Sequence, residues 1–457
     1  MKRQLLHKLR KIAGESNVES SPEDMLCYRY DGLERGAPPD AVVHPASAEE
    51  VAEMIRAAAA AGRPVVPRGA GTGLSGGSVP PAGGIVIDLN RMNCIRSIDR
   101  ENLIAEVEPG VINWDLKAAA DGEGLFYPPD PSSTRVCTLG GNVAENAGGP
   151  CGVKYGVTGD YVLGLEAVLP DGNIIRTGGR NRRDVAGYDL TSLLVGSEGT
   201  LAVITAMTLR LLPRPRARRT VLLSYRELAG AGAAVAAMAS SGVTPAALEI
   251  MDGTTIECVE KYRPGYLPVG AAAALLLEVD GEAEGVDAQL ERARTACQET
   301  GGEIVFTASD EQEAEGLWES RRAISPSLGR LAPAKTGEDI SVPPARLAEM
   351  IGRIQAIAAD HELTIAVFGH AGDGNLHPNI LTDRRDAEQM RRADMAIKEL
   401  FAAAIELGGT LSGEHGIGLA KAGFMDGAIQ AQALSKMKEI KRLFDPEGIM
   451  NPGKIFG

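Results

Sequence analysis

The segment PRGAGTGLSGGS (67–78) limits the fold more than any other stretch of the chain. Gly71, Gly73 and Gly76 stand in a GxGxxG spacing. In a Rossmann unit that spacing marks the turn from a strand into a helix whose N-terminus faces a pyrophosphate. Here the glycines run on into SVPPAGG (78–84). That sequence is hostile to helix, because proline lacks the N–H donor and glycine loses the most backbone entropy. The Rossmann reading fails on this context. What remains is a loop in which Gly69, Gly71, Gly73, Gly76 and Gly77 let successive N–H groups converge on an anion. Thr72, Ser75 and Ser78 add hydroxyl donors. A plain flexible loop is the other reading.

Two more segments share this character. One is YPPDPSSTRVCTLGGNVAENAGGPCGVKYGVTGDYVLGLEAVLPDG (127–172), and the other is GSEGTLAVIT (196–205). Long polar loops inside a compact domain are usually functional, since a buried structureless loop would strand its backbone polar groups. Asn142 and Asn146 could line a large planar ligand through amide hydrogen bonds. Glycine is abundant throughout, 55 in 457 residues, against a usual ~7%. That excess fits tight turns and close backbone approach to something bound. A net charge of −14 argues against a general nucleic-acid binder, which would carry a basic face. The six cysteines (Cys27, Cys94, Cys137, Cys151, Cys258, Cys297) are scattered and contain no CxxC pair. They read as free thiols in a reducing compartment, with no iron–sulfur relay on this chain.

The length suggests two or three domains. Near the start, MKRQLLHKLRKIAGE is basic and mildly amphipathic without the apolar core of a secretory signal. It reads as a capping helix, with weak attachment to an anionic membrane as the alternative. No stretch reaches the ~18 apolar residues of a spanning helix. PASAEEVAEMIRAAAAAG (45–62) reads as a helix, with Ser47 and Glu50 forming a capping box and Gly62 the C-terminal stop. Short strands follow, and Asp171-Gly172 is expected to turn a hairpin. RLLPRPRARRT (210–220), with Pro213, Pro215 and five arginines, is expected to be an extended linker or edge connection. After it come TVLLSY, an alanine-rich helix, AALEIMD, AAALLLEVDG, a second helix and GEIVFTA. That βαββαβ order is the ferredoxin-like arrangement. Helices are expected around 311–330, 343–360, 384–408 and 430–444, and TIAVFGH is a strand. The fold class is α+β.

That last strand leads into GHAGDGNLHPNI (369–380), which holds two of the six histidines, His370 and His377. They are seven apart around Gly372-Asp373-Gly374, unlike the HExxH pair of a helix. A metal site, an acid–base site and a plain hairpin are all open. LSGEHGIG (411–418) adds Glu414 and His415 in another glycine turn. Two imidazoles and a carboxylate form a common set for a divalent metal with open positions, and zinc, iron or manganese suit them. Such a set also serves a metal-dependent hydrolase, although that reading leaves the glycine segments unexplained. A substrate carboxylate would need a cation. WESRRAISPSLGRLAPAK (318–335) offers Arg321, Arg322, Arg330 and Lys335, and a bidentate guanidinium suits the task.

Together, PRGAGTGLSGG, PPDPSS, GGNVAENAGG, KYGVTGDYVLGLEAVLPDG and GSEGTL resemble the FAD-binding domain of the vanillyl-alcohol oxidase / p-cresol methylhydroxylase superfamily. GHAGDGNLHP, SGEHGIG and FDPEGIMNPGKIF are similar to its 2-hydroxyacid branch, which includes the glycolate oxidase D subunit, FAD-linked D-lactate dehydrogenases and D-2-hydroxyglutarate dehydrogenase. The resemblance runs from about residue 36 to the end. It implies a two-part FAD-binding domain over 1–215 (core 36–215), a ferredoxin-like substrate domain over 216–410, and a helical C-terminal segment, 411–457, that returns to the flavin. Arg68, Gly69, Gly71, Thr72, Gly73, Leu74, Ser75 and Gly76 would wrap the FAD pyrophosphate. Pro129, Asp130, Gly140, Gly141, Asn142, Asn146 and Gly149 would follow the isoalloxazine and ribityl. Glu198, Gly199 and Ile204 would hold the adenosine end, and Asn451 the flavin edge. The first loop has no histidine for covalent attachment, so FAD is expected to be dissociable.

The resemblance also gives His370, His377 and Glu414 to the metal, His415 to the role of base, and Asn379 and Arg321 to substrate binding, with Lys335 as a further candidate there. Lys335 stands where the spacing drifts from the dicarboxylate-specific pattern, which favours D-lactate or glycolate over 2-hydroxyglutarate. The implied reaction is oxidation of a small 2-hydroxy acid to the 2-keto acid. An electron-transfer flavoprotein, a quinone chain or an iron–sulfur partner subunit would accept the electrons. A cytoplasmic location, or peripheral attachment at the inner face of the membrane, goes with this, and a homodimer stays open.

Overall fold

The computed structural model describes residues 2–32 and 36–457. The chain divides into two compact units, one of Met1–Ala147, Val157–Arg214 and Glu414–Gly457, the other of Gly148–Gly156 and Pro215–Gly413.

The first unit carries two sheets over two apolar cores. Its helix Lys2–Ala13 buries Leu5, Leu9 and Ala13, one stripe at helical spacing. The basic amphipathic start thus spends its apolar face on the core. Helix Ala48–Ala60 begins as its sequence requires. The Ser47 hydroxyl accepts from the Glu50 N–H at 3.2 Å, and the Glu50 carboxylate accepts from the Ala46 N–H at 2.8 Å. Gly62 at φ 60° follows the last turn. The four-stranded sheet has the order Val18–Glu19, Ala41–Val43, Ile85–Asp88, Val65–Arg68. Its last three strands run parallel. The five-stranded antiparallel sheet has the order Ile95–Asp99, Ile104–Val107, Val203–Arg210, Val162–Val168, Ile174–Gly178. Asp171-Gly172 turns the hairpin between the last two, with Gly172 at φ 78° and Val168 opposite Ile174.

The second unit is one mixed layer of helices on an antiparallel sheet. Its elements are β1 (Ala217–Tyr225), α1 (Leu228–Ser240), β2 (Ala247–Asp252), α2 (Gly253–Tyr262), β3 (Ala273–Gly281), α3 (Ala283–Glu299), β4 (Glu303–Thr307) and α4 (Glu311–Arg322). The strands β5 (Ala334–Gly337), β6 (Ile340–Ser341), β7 (Thr364–His370) and β8 (Asn375–Thr382) follow. The sheet order is β4-β1-β3-β2-β7-β8-β5, with β6 also on β8. The first four strands are the ferredoxin-like βαββαβ set, and β7, β8 and β5 extend it from the β2 edge.

Two features depart from the sequence reading. Helix α2 lies between strands expected to be joined directly; Asp252 caps it by accepting from the Thr255 N–H at 2.8 Å. Residues 217–220, expected as part of an extended linker, belong to β1. Ala217 to Tyr225 pair with Gly281 to Ala273 in unbroken register. Arg218 lies opposite Asp280 of β3 and 3.9 Å from Glu278, and Arg219 pairs with Asp287 of α3 at 2.7 Å. The Glu278 carboxylate also accepts from the Thr220 hydroxyl at 3.0 Å and the Trp318 Nε1–H at 2.9 Å. The backbone pairs across the strands while the side chains of Arg218 and Arg219 stay 48% and 40% exposed. Pro213 does lie outside the large sheets, in a two-residue pairing with Leu125. Among the described residues, no helix is long and apolar enough to cross a membrane.

Candidate functional site

In the first unit the glycine segments come together. Strand Val65–Arg68 ends at the GxGxxG loop, and no helix follows it. Gly71 and Gly76 sit at φ 68° and 85°, in the region that favours glycine. Backbone approach is close. A Cβ on Gly69 would stand 2.2 Å from the Thr138 hydroxyl, and one on Gly199 2.9 Å from Pro67. Thr138 caps the helix Leu139–Glu145, which carries Gly140, Gly141 and Asn142. Asn142 donates to Asn113 at 3.2 Å, and Asn113 in turn donates to the Pro129 carbonyl at 3.1 Å. Asn146 ends that helix in a left-handed conformation at φ 55° and accepts from the Gly159 N–H at 2.7 Å. Asp130 pairs with Lys117 at 3.1 Å. Ile204 is core. Gly149 falls in the segment that belongs to the second unit.

The C-terminal stretch is stitched into the same place. Leu419 and Ala420 donate to the Ser75 carbonyl, and Lys454 donates to the Val79 carbonyl at 2.6 Å. Asn451 donates to the carbonyls of Gly77 (2.8 Å) and Glu198 (2.6 Å). Glu198 spends its carboxylate on the N–H groups of Ile417 and Gly418, both at 2.7 Å. Burial raises its pKa. Burial, with the neighbouring charges of Glu198 and Asp31, drives Glu145 well above the carboxylate range. Burial also pulls Lys454 down to about 8.

This region fits an anionic dinucleotide. The backbone N–H groups of Gly69 through Ser75 donate to no protein acceptor among the described residues, although the loop is half-buried or buried throughout. The Ser75 hydroxyl and Asn451 Oδ1 are likewise buried without a partner. Such groups are rare unless something bound completes them.

In the second unit the site is one face of the sheet. Side chains of a strand alternate between faces, and directly opposed residues share one. Glu249 on β2 lies opposite His370 on β7, which lies opposite Asn375 on β8. In the next row Met251 lies opposite Phe368, and Phe368 opposite His377. In the third, Ala366, Asn379 and Gly337 align. The turn 371–374 joins β7 to β8, with Gly374 at φ 84°. It sets His370 and His377 on one face with ring centroids 5.1 Å apart, edge to face. Pro378 interrupts the ladder on its other side, between β5 and β6, where a proline is tolerated. The flanking pairs Gly337–Asn379 and Ile340–Leu376 put Asp339 opposite His377, with Oδ1 3.7 Å from Nδ1.

The buried charges here are prearranged. Glu249 is fully buried. Its Oε2 takes Arg321 Nε at 2.7 Å and Nη2 at 2.6 Å, and its Oε1 takes His370 Nδ1 at 2.7 Å. Burial pushes the Glu249 carboxyl up, but His370 and Arg321 together bring its pKa below the ordinary value. A carboxylate can only accept, so His370 donates from Nδ1, and in the neutral imidazole the lone pair then lies on Nε2. Arg321 lies over the Phe368 ring, Cζ 4.8 Å from the centroid. Asn379 donates to the His377 carbonyl at 2.9 Å, leaving Oδ1 beside Gly337. Asn375 Oδ1 is buried and has no hydrogen-bond partner. Lys335 donates to the Ser325 hydroxyl at 2.6 Å, and burial lowers its pKa. Two imidazoles on one face, one with its ligating nitrogen oriented by a carboxylate, fit a divalent metal.

Asp339 also accepts from the Ser412 hydroxyl at 2.6 Å and the Gly413 N–H at 2.9 Å. The chain then passes directly into Glu414 and His415, whose carboxylate and Nε2 lie 3.8 Å apart.

Glu249, Asp339 and Asn375 did not stand out in the sequence. Glu249 left one signal, as an acid flanked by apolar residues in the middle of ALEIMD, where all six residues are buried. Asp339 and Asn375 left none.

Comparison with known proteins completes the picture. Residues 39–178 match the "FAD binding domain" family and residues 214–455 the "FAD linked oxidases, C-terminal domain" family. The chain is 44% identical over 446 residues to the glycolate oxidase subunit GlcD of Bacillus subtilis (strain 168), covering 97% of this chain and 95% of that one. It is 34% identical over 452 residues to a D-lactate dehydrogenase of Anaerostipes hadrus, covering 97% and 94%. The fold is that of p-cresol methylhydroxylase, solved with substrate bound, at a TM-score of 0.82 and 19% identity over 99% of this chain and 96% of that one. The chain belongs to the FAD-linked oxidases.

Proposed function

We propose that this enzyme oxidises a small 2-hydroxy acid, D-lactate or glycolate, to the 2-keto acid. The observation that carries the proposal is the Arg321–Glu249–His370 array, in which a guanidinium and an imidazole share one buried carboxylate. The names of two relatives, a glycolate oxidase subunit and a D-lactate dehydrogenase, point the same way.

Residues 68–76, Pro129, Asp130, Gly140, Gly141, Asn142, Asn146, Gly149, Glu198, Gly199, Ile204 and Asn451 would hold FAD without a covalent bond, and the flavin would supply the hydride acceptor. His370, His377 and Glu414 would hold zinc, iron or manganese, which supplies Lewis acidity toward the α-hydroxyl. The rest is the work of the chain's own side chains. Glu249 occupies the Nε–Nη2 edge of Arg321, so the guanidinium presents its Nη1 end to the substrate carboxylate. Asn379, on the same face, contributes a further hydrogen bond to the substrate. Together these contacts fix C2 in one orientation, which is the larger part of what an enzyme does for a two-centre transfer. His415 takes the hydroxyl proton. Lys335 is held by Ser325, which favours a monocarboxylate over 2-hydroxyglutarate. A separate acceptor, an electron-transfer flavoprotein, a quinone chain or an iron–sulfur partner subunit, reoxidises the enzyme.

Dye-linked oxidation of D- and L-lactate, glycolate, malate and 2-hydroxyglutarate, with and without added zinc, manganese or iron, tests the reading. D-lactate or glycolate should be turned over fastest. His415→Ala should lower turnover about 10²–10⁴-fold at unchanged flavin content. Unchanged turnover would sink the assignment of the base. Full activity after chelation and desalting would remove the metal.

A further inference from the structure

We infer that Glu249 is a positioning residue that serves both halves of this site at once, fixing the tautomer of the metal-ligand His370 with one oxygen and the orientation of Arg321 with the other. The inference rests on the function proposed above.

The geometry makes the case. Each Glu249 oxygen has its own client: Oε1 takes His370 Nδ1 at 2.7 Å, and Oε2 takes Arg321 Nε and Nη2 at 2.7 and 2.6 Å. Glu249 and His370 are paired across β2 and β7, so the contact is set by strand register as well as by side-chain rotamer. All three groups are buried. Phe368 closes the far face of the guanidinium. Both clients are donors, and a carboxylate is the one side-chain group of this shape that accepts at both ends.

Glutamine breaks that symmetry without changing shape. With its amide oxygen toward Arg321, its NH₂ faces His370 and requires Nδ1 to accept. The imidazole proton then moves to Nε2, where a metal would bind. With the amide turned round, the NH₂ faces the guanidinium, and two donors confront each other. Glu249→Gln must therefore impair either metal binding or the carboxylate clamp, and the arginine's charge favours the first arrangement.

The experiment is calorimetric titration of the metal-stripped, flavin-loaded enzyme with Zn²⁺ alone, beside KM and kcat for D-lactate. Glu249→Gln should bind Zn²⁺ about 10–100-fold more weakly, the usual cost of losing such an outer partner, with flavin content unchanged. Arg321→Lys, which leaves the Glu249–His370 bond in place, should bind Zn²⁺ within about twofold of wild type while KM rises at least tenfold. This split separates positioning from a general loss of structure. If Glu249→Gln does not fold, Glu249→Asp decides, because one methylene less prevents the carboxylate from reaching both clients and the same weakening is expected. Wild-type Zn²⁺ affinity and KM in the glutamine or aspartate variant would overturn the inference alone. A wild-type enzyme that neither binds Zn²⁺ nor oxidises any 2-hydroxy acid would overturn the function it rests on.

Discussion

In the glycine loop of the first unit, the donors are backbone N–H groups and side chains are kept away. On the sheet face of the second, most donors and acceptors are side chains, many of them already paired. The first arrangement recognises a large anion by shape and by many weak, equivalent contacts. The second recognises a small acid through a few groups whose protonation and direction must be right. Backbone donors cannot be deleted by mutation, whereas a paired side chain can. The two sites should therefore fail in opposite ways. The sheet face should be intolerant of losing a side chain, and the loop intolerant of gaining one.

Losing Arg321 should have the largest effect. Arg321→Met keeps the volume and the contact with Phe368, but it leaves the Glu249 carboxylate buried with His370 as its only partner. Breaking a buried pair from one side costs about 3–5 kcal/mol, and urea denaturation would read it. The pH dependence should change too. The folded-state pKa of Glu249 lies below its ordinary 4.5. Its carboxylate thus contributes stability above that pH, lost as pH falls through the folded value. Without Arg321 this acid-side loss should begin at higher pH. A variant within about 0.5 kcal/mol of wild type would show that the pair is not what holds the site.

The converse holds in the loop. Gly71→Ala adds one methyl at φ 68°, and its Cβ would lie 2.1 Å from the Arg68 guanidinium. A left-handed non-glycine residue costs about 1–2 kcal/mol, and Arg68, an arm of the same loop, must move. FAD should dissociate about five- to thirtyfold more readily. Equilibrium dialysis of the flavin would measure this, and unchanged affinity would remove the loop from the cofactor site.

This contrast also governs what the sequence revealed. The loop was legible because glycine spacing records backbone geometry directly. The failed Rossmann reading was informative for the same reason, since SVPPAGG could not open a helix. His370 and His377 were legible as a pair, because a strand followed by a glycine turn sets both on one face. Glu249 was not, because its role depends on a register between β2 and β7 whose paired residues, Glu249 and His370, are 121 positions apart. Residues 217–220 misled for a related reason. An arginine-rich run reads as a linker until β3 is known to pair with it. Local rules recover turns and caps, and pairings made across a sheet become visible only when the sheet exists.

Glu145 sharpens the comparison at its weakest point, as a side chain in the backbone-made site that the protein would be more stable without. Its Oε2 is buried without a partner, and burial and its acidic neighbours raise its pKa well above 4.5. A carboxyl whose folded pKa is raised binds more protons in the native state than in the unfolded one. Stability therefore falls as pH rises from about 4.5 toward the folded value. Lys454 runs the other way. Its pKa, pulled down to about 8, means that stability recovers as pH rises from 8 toward the unfolded value. The Glu145 effect is thus cleanest between pH 4.5 and 8. Glu145→Gln removes the charge and gives Glu198 a donor, since both carboxylates crowd the same point beside Gly416. It should stabilise the purified protein by about 1 kcal/mol at pH 7.5, the cost of one buried unsatisfied acceptor. In a chain of this size that is a rise of at most about 2 °C in Tm, shrinking to nothing as pH approaches 4.5. Calorimetry across that range would show the trend. A loss of stability, or a gain independent of pH, would mean that the carboxylate of Glu145 is held by something the loop binds, and that here too a side chain matters.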